Sequence, residues 1–154
     1  MRSERGRLRR IVSAVAGSLA LAASAVVAAV AVVPTSSLAA DADSAFVVTI
    51  DSPQVKLGEP AVIVATITTR DGFRITESYR HRIRKLSATG DGMQLRSTVV
   101  NGSVRDGKVV FLVDVVPTKA GTHTVVGFFR FSLHNGQQLD IKSAPFEATV
   151  TATE

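Results

Sequence analysis

Hydrophobic and polar positions follow two different patterns along the chain. Ile11–Val33 is an uncharged run of 23 residues rich in Ala and Val. From Phe46 onward, short stretches rich in β-branched residues recur between turn signals about every eight to twelve residues, and none has a helical period. The main strands are predicted at Phe46–Ile50, Ala61–Thr69, Val109–Pro117, a long stretch between Gly121 and about Leu133, and Pro145–Ala152.

Gly, Pro, Asn and Asp mark the turns between these strands. Asn101-Gly102 and Asp106-Gly107 are dipeptides typical of two-residue hairpins. The composition of Ala61–Thr69 predicts a strand buried on both faces, and Phe129 and Phe131 are expected in the core. Seven or eight short strands in about 110 residues predict an all-β fold, an immunoglobulin-like β-sandwich of antiparallel strands.

The chain contains no Cys and no Trp. The Cys and Trp signature of antibody domains is therefore absent, and the pattern predicts the sandwich architecture rather than that superfamily. The absence of Cys also excludes thiol nucleophiles, thiol redox chemistry and Cys-ligated zinc. A domain of about 110 residues can bury a sufficient core without a disulfide.

The first forty residues have the three parts of an export signal. Five arginines precede the apolar run, Pro34 ends it, and the small residues of "TSSLAADADSA" follow. This order predicts residues 1–40 as a signal peptide. The expected cleavage positions are after Ala39, Ala40 or Ala42.

An uncleaved membrane anchor is the alternative for Ile11–Val33. A helix of this length extends about 34 Å at about 1.5 Å per residue, enough to cross a bilayer core of about 30 Å. In both cases the later residues are expected outside the cytoplasm, in the periplasm, the outer envelope or the exterior. Residues 35–44 are small and polar and are expected to form a disordered tether. The predicted domain boundaries are a short linker at 41–45 and the sandwich at 46–154.

The basic charge of the chain belongs mostly to this leader. The formal net charge is +5 and the calculated pI is 10.2. Residues 1–40 hold five Arg and one Glu, which leaves 13 basic and 12 acidic residues beyond them. A net charge near +1 removes the main support for nucleic-acid binding. The expected partner is another envelope protein rather than nucleic acid, with a membrane tether through Ile11–Val33 if the leader is retained.

A basic stripe is predicted in the extended piece Tyr79–Leu86. Arg80, Arg82 and Arg84 alternate along one face of this piece. The opposite face is expected to carry Tyr79, His81, Ile83 and Lys85. The stripe is either a candidate basic face for an acidic ligand, a lipid headgroup or a polyanion, or a solvated strand whose charges prevent aggregation.

The sequence contains no recognisable catalytic set. It has no Gly-x-Ser-x-Gly elbow. Nothing singles out the carboxylate pairs that glycoside hydrolysis would need, which are Glu77 with Glu59 or with Asp114. The three histidines, His81, His123 and His134, lack the close spacing of metal sites. The chain is therefore predicted not to be an enzyme, with no cofactor and no catalytic or metal residues.

Two segments resemble the amino-terminal domain of the DsbD thiol:disulfide interchange family. They are "FRITESYRHRIRKLSA" and the stretch from Val109 to Ala152. The matching positions follow in order as Pro117, Ala120-Gly121, Thr124-Val125, Gly127, Phe131-Ser132-Leu133 and Asn135. The resemblance covers about Phe73–Thr151 and implies an immunoglobulin-like fold and a location outside the cytoplasm.

The redox members of that family carry two cysteines on the hairpin within "FSLHNGQQL". In this sequence the two positions fall on His134 and Leu139, which cannot take part in thiol–disulfide exchange. The resemblance therefore implies a redox-inactive relative. Because loops at the ends of sandwiches commonly carry recognition, this hairpin is the candidate interaction site. Its residues are His134, Asn135, Gln137, Gln138, Leu139 and Asp140.

The predicted function is a non-enzymatic exported interaction module at the cell envelope. A partner would dock at the hairpin or add a strand to an exposed sheet edge. One alternative is an accessory or docking domain of an envelope thiol–disulfide or cytochrome-maturation system. Another is a metal-binding envelope protein that uses His134 together with His81 or His123.

Overall fold

The computed structural model describes residues 35–38 and 45–154, where all regular structure is β-strand. The apolar run Ile11–Val33 of the predicted leader lies outside these residues. Among the described residues, no helix has the length and apolarity needed to cross a bilayer. The strands are β1 Thr35–Leu38, β2 Phe46–Asp51, β3 Gln54–Lys56, β4 Ala61–Thr69, β5 Arg74–Ile75, β6 Arg82–Ala88, β7 Met93–Leu95, β8 Val100–Asn101, β9 Ser103–Arg105, β10 Lys108–Pro117, β11 Gly121–His134 and β12 Leu139–Thr153.

The strands form the two sheets of a β-sandwich. The first sheet has the order β1-β2-β4-β10-β7, with β9 also paired to β10. The second has the order β3-β12-β11-β6-β8, with β5 also paired to β11. Strand pairs are antiparallel except β12 with β3. The predicted all-β, immunoglobulin-like sandwich is confirmed, and the strands outnumber the prediction because five of them have only two or three residues.

Alternation along the long strands builds the core between the sheets. In β11 the inward residues Val125, Phe129 and Phe131 are fully buried, which confirms the core position predicted for the two phenylalanines. The ring of Phe129 lies 5.3 Å from that of Phe111 and 5.4 Å from that of Phe146, so aromatic rings from three strands meet in the core.

The prediction that β4 is buried on both faces is wrong. Ile63, Ala65 and Ile67 face the core with no exposed surface, whereas Val62 on the opposite face is 43% exposed. β4 pairs with β2 along one edge and with β10 along the other. The second sheet of the sandwich covers only one face of the sheet that these strands form, and the other face is exposed to solvent. The apolar outer residues of β4 therefore contribute to the surface rather than to a second core.

The two hairpin-type dipeptides have different outcomes. Asp106 and Gly107, with φ of 50° and 71°, connect β9 to β10 in a two-residue hairpin as predicted. Asn101-Gly102 is not a hairpin, because Asn101 pairs in the second sheet and Ser103 in the first. A Cβ on Gly102 would lie 2.6 Å from side-chain atoms of Phe111, so the glycine permits close approach to the core as the chain changes sheets.

β1 lies in a segment that was expected to be a disordered tether. Thr35–Leu38 pair antiparallel with β2, with Thr35 opposite Asp51 and Leu38 opposite Val48. The edge of a sheet presents unpaired N–H and C=O groups, and this short segment pairs with those of β2.

Candidate functional site

The β11–β12 hairpin is closed by Asn135. The Asn135 N–H donates to the Gln138 carbonyl at 3.2 Å. The Asn135 Oδ1 accepts hydrogen bonds from the N–H groups of Gln137 and Gln138, at 3.1 and 2.8 Å. Gly136 has φ of 90°, a conformation that favours glycine at the first central position of a tight hairpin. The turn chemistry of "HNGQQ" therefore fixes the register of both strands.

His134 and Leu139 face each other directly across this hairpin. They are register partners at the ends of β11 and β12. His134 is half-buried, whereas Leu139 is 55% exposed. The positions that the resemblance assigns to a cysteine pair are thus adjacent, but their side chains are an imidazole and an aliphatic group.

His134 also borders a cavity of about 760 Å³ at the same end of the sandwich, and most of the residues that line it are polar or charged. Two cations and two carboxylates line it, contributed by Arg74, Lys108, Glu77 and Asp106. Asp114, one of the carboxylates considered as a partner for Glu77, instead lies exposed on β10 opposite Val62. The structure thus does not bring Glu77 and Asp114 together.

The three histidines lie in different environments. His123 and His134 are both on β11, separated by 11 residues or about 36 Å of extended chain, so they cannot share a metal ion. The His123 Nε2 lies 2.7 Å from the Lys119 carbonyl. His81 is 2% exposed, and its Nε2 lies 3.0 Å from the Thr76 carbonyl. Within the described part of the chain, no three His, Cys, Asp or Glu residues are grouped so that they could hold a metal ion.

The outer edge of β12 is open over most of its length in the described part of the chain. β11 pairs with β12 from Leu139 to Ala152, whereas β3 pairs on the other side only with Thr151–Thr153. Hydrogen bonds on the far side of β11 determine which N–H and C=O groups of β12 point to this open edge. The Thr76 N–H donates to the Ser132 carbonyl at 3.0 Å, so the backbone N–H and C=O of Ser132 point away from β12.

Residues opposite each other in an antiparallel pair either exchange both hydrogen bonds or neither. Ser132 lies opposite Ile141, so the N–H and C=O of Ile141 point to the open edge. By the same alternation, the N–H and C=O groups of Leu139 and Ser143, each two residues from Ile141, also point to the open edge. The alternation continues to Thr151, whose N–H donates to the Pro53 carbonyl on that edge at 3.1 Å. Pro145 belongs to the same outward-pointing series, so its missing N–H removes no hydrogen bond between β12 and β11.

The predicted basic stripe is only partly a strand. β6 begins at Arg82, so Arg82 and Arg84 lie on the outer face of the second sheet while Arg80 lies in the preceding loop. Arg130 of β11 is directly opposite Arg82 and extends the basic face onto a second strand. The place of Arg130 on this face could not be predicted from the sequence, because it depends on the register between strands that are distant along the chain.

Lys85 does not lie on the face opposite Arg84, as strict alternation would require. The β6–β11 register shifts between Val126 and Phe128, and Lys85 has a left-handed φ of 55°. This β-bulge leaves Arg84 and Lys85 both exposed. They line a cavity of about 340 Å³, together with Phe128, Phe129, Arg130 and Ser143.

Comparisons with known proteins find only distant structural similarity. A scan of family models and a search of curated proteins each gave no match, so the DsbD resemblance stays a prediction. Among solved structures, the chain is similar to the major fimbrial subunit AggA of Escherichia coli, at 14% identity over 78% of this chain and 95% of that chain, with a TM-score of 0.37. It is also similar to the seventh ScaB type I cohesin of Pseudobacteroides cellulosolvens, at 14% identity over 68% and 89%, with a TM-score of 0.42. The GAE domain of GGA2p from Saccharomyces cerevisiae has 13% identity over 74% and 96%, with a TM-score of 0.32.

Proposed function

We propose that this protein is a non-enzymatic, exported interaction module of the cell envelope that holds an extended segment of a partner protein against the open edge of β12. The observation that carries the proposal is the outward series of backbone groups at Leu139, Ile141 and Ser143 beside the β11–β12 hairpin. A peptide added to a sheet edge gains affinity from main-chain hydrogen bonds and specificity from neighbouring side chains.

The side chains beside this edge suit a short added strand. Leu139 and Ile141 are 55% and 43% exposed on the outer face, where they offer apolar contacts to a neighbouring strand. Pro145 removes one outward N–H and limits the receptive stretch to its hairpin end. The intervening charges neutralise each other, because the Lys142 Nζ lies 2.6 Å from the Asp140 Oδ2.

The test is capture of envelope proteins by full-length Ser143→Pro, with Ser143→Ala as the matched control. Proline removes an outward N–H without disturbing the β11 ladder, whereas alanine retains it. Loss of one or two main-chain hydrogen bonds predicts at least about a fivefold fall in captured partner for the proline variant alone. Equal capture by wild type and both variants would exclude the edge as the docking site.

The hairpin itself supports a second candidate, an accessory or docking domain of an envelope thiol–disulfide or cytochrome-maturation system. The specific support is that His134 and Leu139, the positions matched to the cysteine pair, are direct register partners. A relative that retained this frame could dock to the same machinery without transferring electrons. This candidate predicts that the neighbouring genes encode thioredoxin-like or cytochrome-maturation proteins, and an unrelated genomic neighbourhood would count against it.

A further inference from the structure

The outer face of the second sheet concentrates positive charge beside the open edge. Arg82 and Arg130 are directly opposite each other on β6 and β11, and Arg84 is opposite Phe128. Like charges at directly opposed positions destabilise a sheet. None of these three arginines forms an ion pair within the described residues.

The β-bulge adds a fourth cation at a conformational cost. A left-handed conformation is unfavourable for a lysine because its Cβ approaches the following carbonyl oxygen, and Lys85 adopts it at the point where the register shifts. Bulges commonly redirect a side chain, and strained residues concentrate at functional positions. Here the bulge places Lys85 beside Arg84 on the rim of the 340 Å³ cavity.

The cavity combines these cations with an aromatic surface and polar donors. Phe128, 53% exposed, lies between Arg84 on the neighbouring strand and Arg130 on its own. The Arg130 guanidinium donates to the Ser143 Oγ at 3.2 Å, so Ser143 connects the cationic site to the edge strand. The one carboxylate on the outer face of β12 near this site is Glu147, four residues or about 13 Å beyond Ser143.

We propose that the segment captured by β12 is acidic, and that a carboxylate of this segment binds Arg130, the member nearest to β12 of the cationic site that it forms with Arg84 and Lys85. This inference rests on the proposed function. A strand added beside β12 would lie two strand spacings, about 10 Å, from β11. The side chain of a Glu or Asp placed next to Ser143 extends toward β11, and the long side chain of Arg130 extends toward the added strand. Together the two side chains can span the distance between these strands. Arginine suits this role because its planar donors match a carboxylate.

The test measures binding of labelled octapeptides to the full-length chain by fluorescence anisotropy. The peptides alternate Val and Thr and carry Glu, Gln or Lys at the same two positions. The Glu peptide is expected to bind about two- to fivefold more tightly than the Gln peptide, and the Lys peptide more weakly than both. The Arg84→Gln/Arg130→Gln variant should lose this preference. Arg105→Gln, which removes an exposed cation from β9 of the other sheet, should retain it.

Three results would overturn the inference. They are equal binding of the Glu and Gln peptides, an unchanged preference in the double arginine variant, or no peptide binding at millimolar concentration. Arginine-dependent binding of anionic phospholipid vesicles or of heparin, without peptide binding, would likewise overturn it in favour of a membrane or polysaccharide ligand. The capture experiment with Ser143→Pro tests separately whether a partner docks at the β12 edge. A result against the acidic segment can therefore be distinguished from a result against the proposed function.

Discussion

At the scale of single residues, His81 is an ionisable group in a site that disfavours its charged form. Burial lowers the pKa of His81 below its ordinary value of 6.5, although the hydrogen bond to the Thr76 carbonyl acts in the opposite direction. The Nε2 donates to that carbonyl, and the buried Nδ1 has no hydrogen-bond partner among the described residues. Protonation of Nδ1 would therefore create a buried positive charge that has no hydrogen-bond acceptor, in the loop that leads into β6.

The sign of the resulting pH dependence follows from this lowered pKa. Below pH about 6.5 the unfolded chain binds a proton at His81 more readily than the folded chain does, so acid favours unfolding. The free energy of unfolding should fall as the pH decreases from about 7 to about 5, and should fall less in His81→Gln, which keeps a donor for Thr76 and cannot ionise. Urea denaturation at several pH values measures this difference. Parallel profiles for the two proteins would contradict it.

Phe128 and Phe129 are adjacent in sequence but differ in environment. Phe129 is fully buried between the rings of Phe111 and Phe146, whereas Phe128 is on the outer face. Phe129→Ala should lower the free energy of unfolding by about 3–5 kcal/mol, and Phe128→Ala by about 1 kcal/mol or less. Denaturant unfolding of both variants makes the comparison, with Phe128→Ala as the matched control. Similar losses would mean that the strand alternation is misassigned.

At the scale of elements, period-2 patterns and turn residues were sufficient to predict β2, β4, β10 and β11, whereas β12 is one continuous strand that begins at Leu139, six residues before the predicted start at Pro145. Ala61–Thr69 coincides with β4, and Asp106-Gly107 forms the predicted turn. Two features were not predictable from local pattern. The bulge at Lys85 arises from the pairing of β6 with β11, and Gly102 is a site of close core approach that resembles a hairpin dipeptide in sequence. Both depend on contacts between residues that are distant along the chain.

The register of the β11–β12 hairpin can be tested with an engineered pair of cysteines at the two positions matched to the redox pair. Opposed residues in a non-hydrogen-bonded pair have Cα atoms about 4.5 Å apart, within the range of roughly 4.4–6.8 Å that a disulfide spans. A His134→Cys/Leu139→Cys variant should therefore oxidise in air and lose its free thiols in a thiol assay. His134→Cys/Ile141→Cys, diagonal on the same face, is the control and should keep them. Persistent thiols in the first variant would argue against this register.

At the scale of the whole molecule, the order of strands in each sheet determines which edge is open. β12 is the longest of the described strands, but its partner β3 ends after three residues, and β1 pairs with the edge of β2 instead. The strand that offers an open edge could not be predicted from the sequence, because sheet order is a property of the assembled sandwich. The basic face acquires its position beside that edge from the same assembly, since β11 joins β6 to β12.

The central claim is that the outward amides of Leu139, Ile141 and Ser143 are free to pair with a partner strand. Amide hydrogen exchange of the full-length chain, measured with and without the Glu octapeptide, tests it most directly. In the free protein these three amides should exchange quickly, while those of Asp140 and Lys142, which face β11, exchange slowly. The peptide should slow the three outward amides and leave the other two unchanged. Slow exchange at all five positions before the peptide is added, or no slowing after it binds, would contradict the claim.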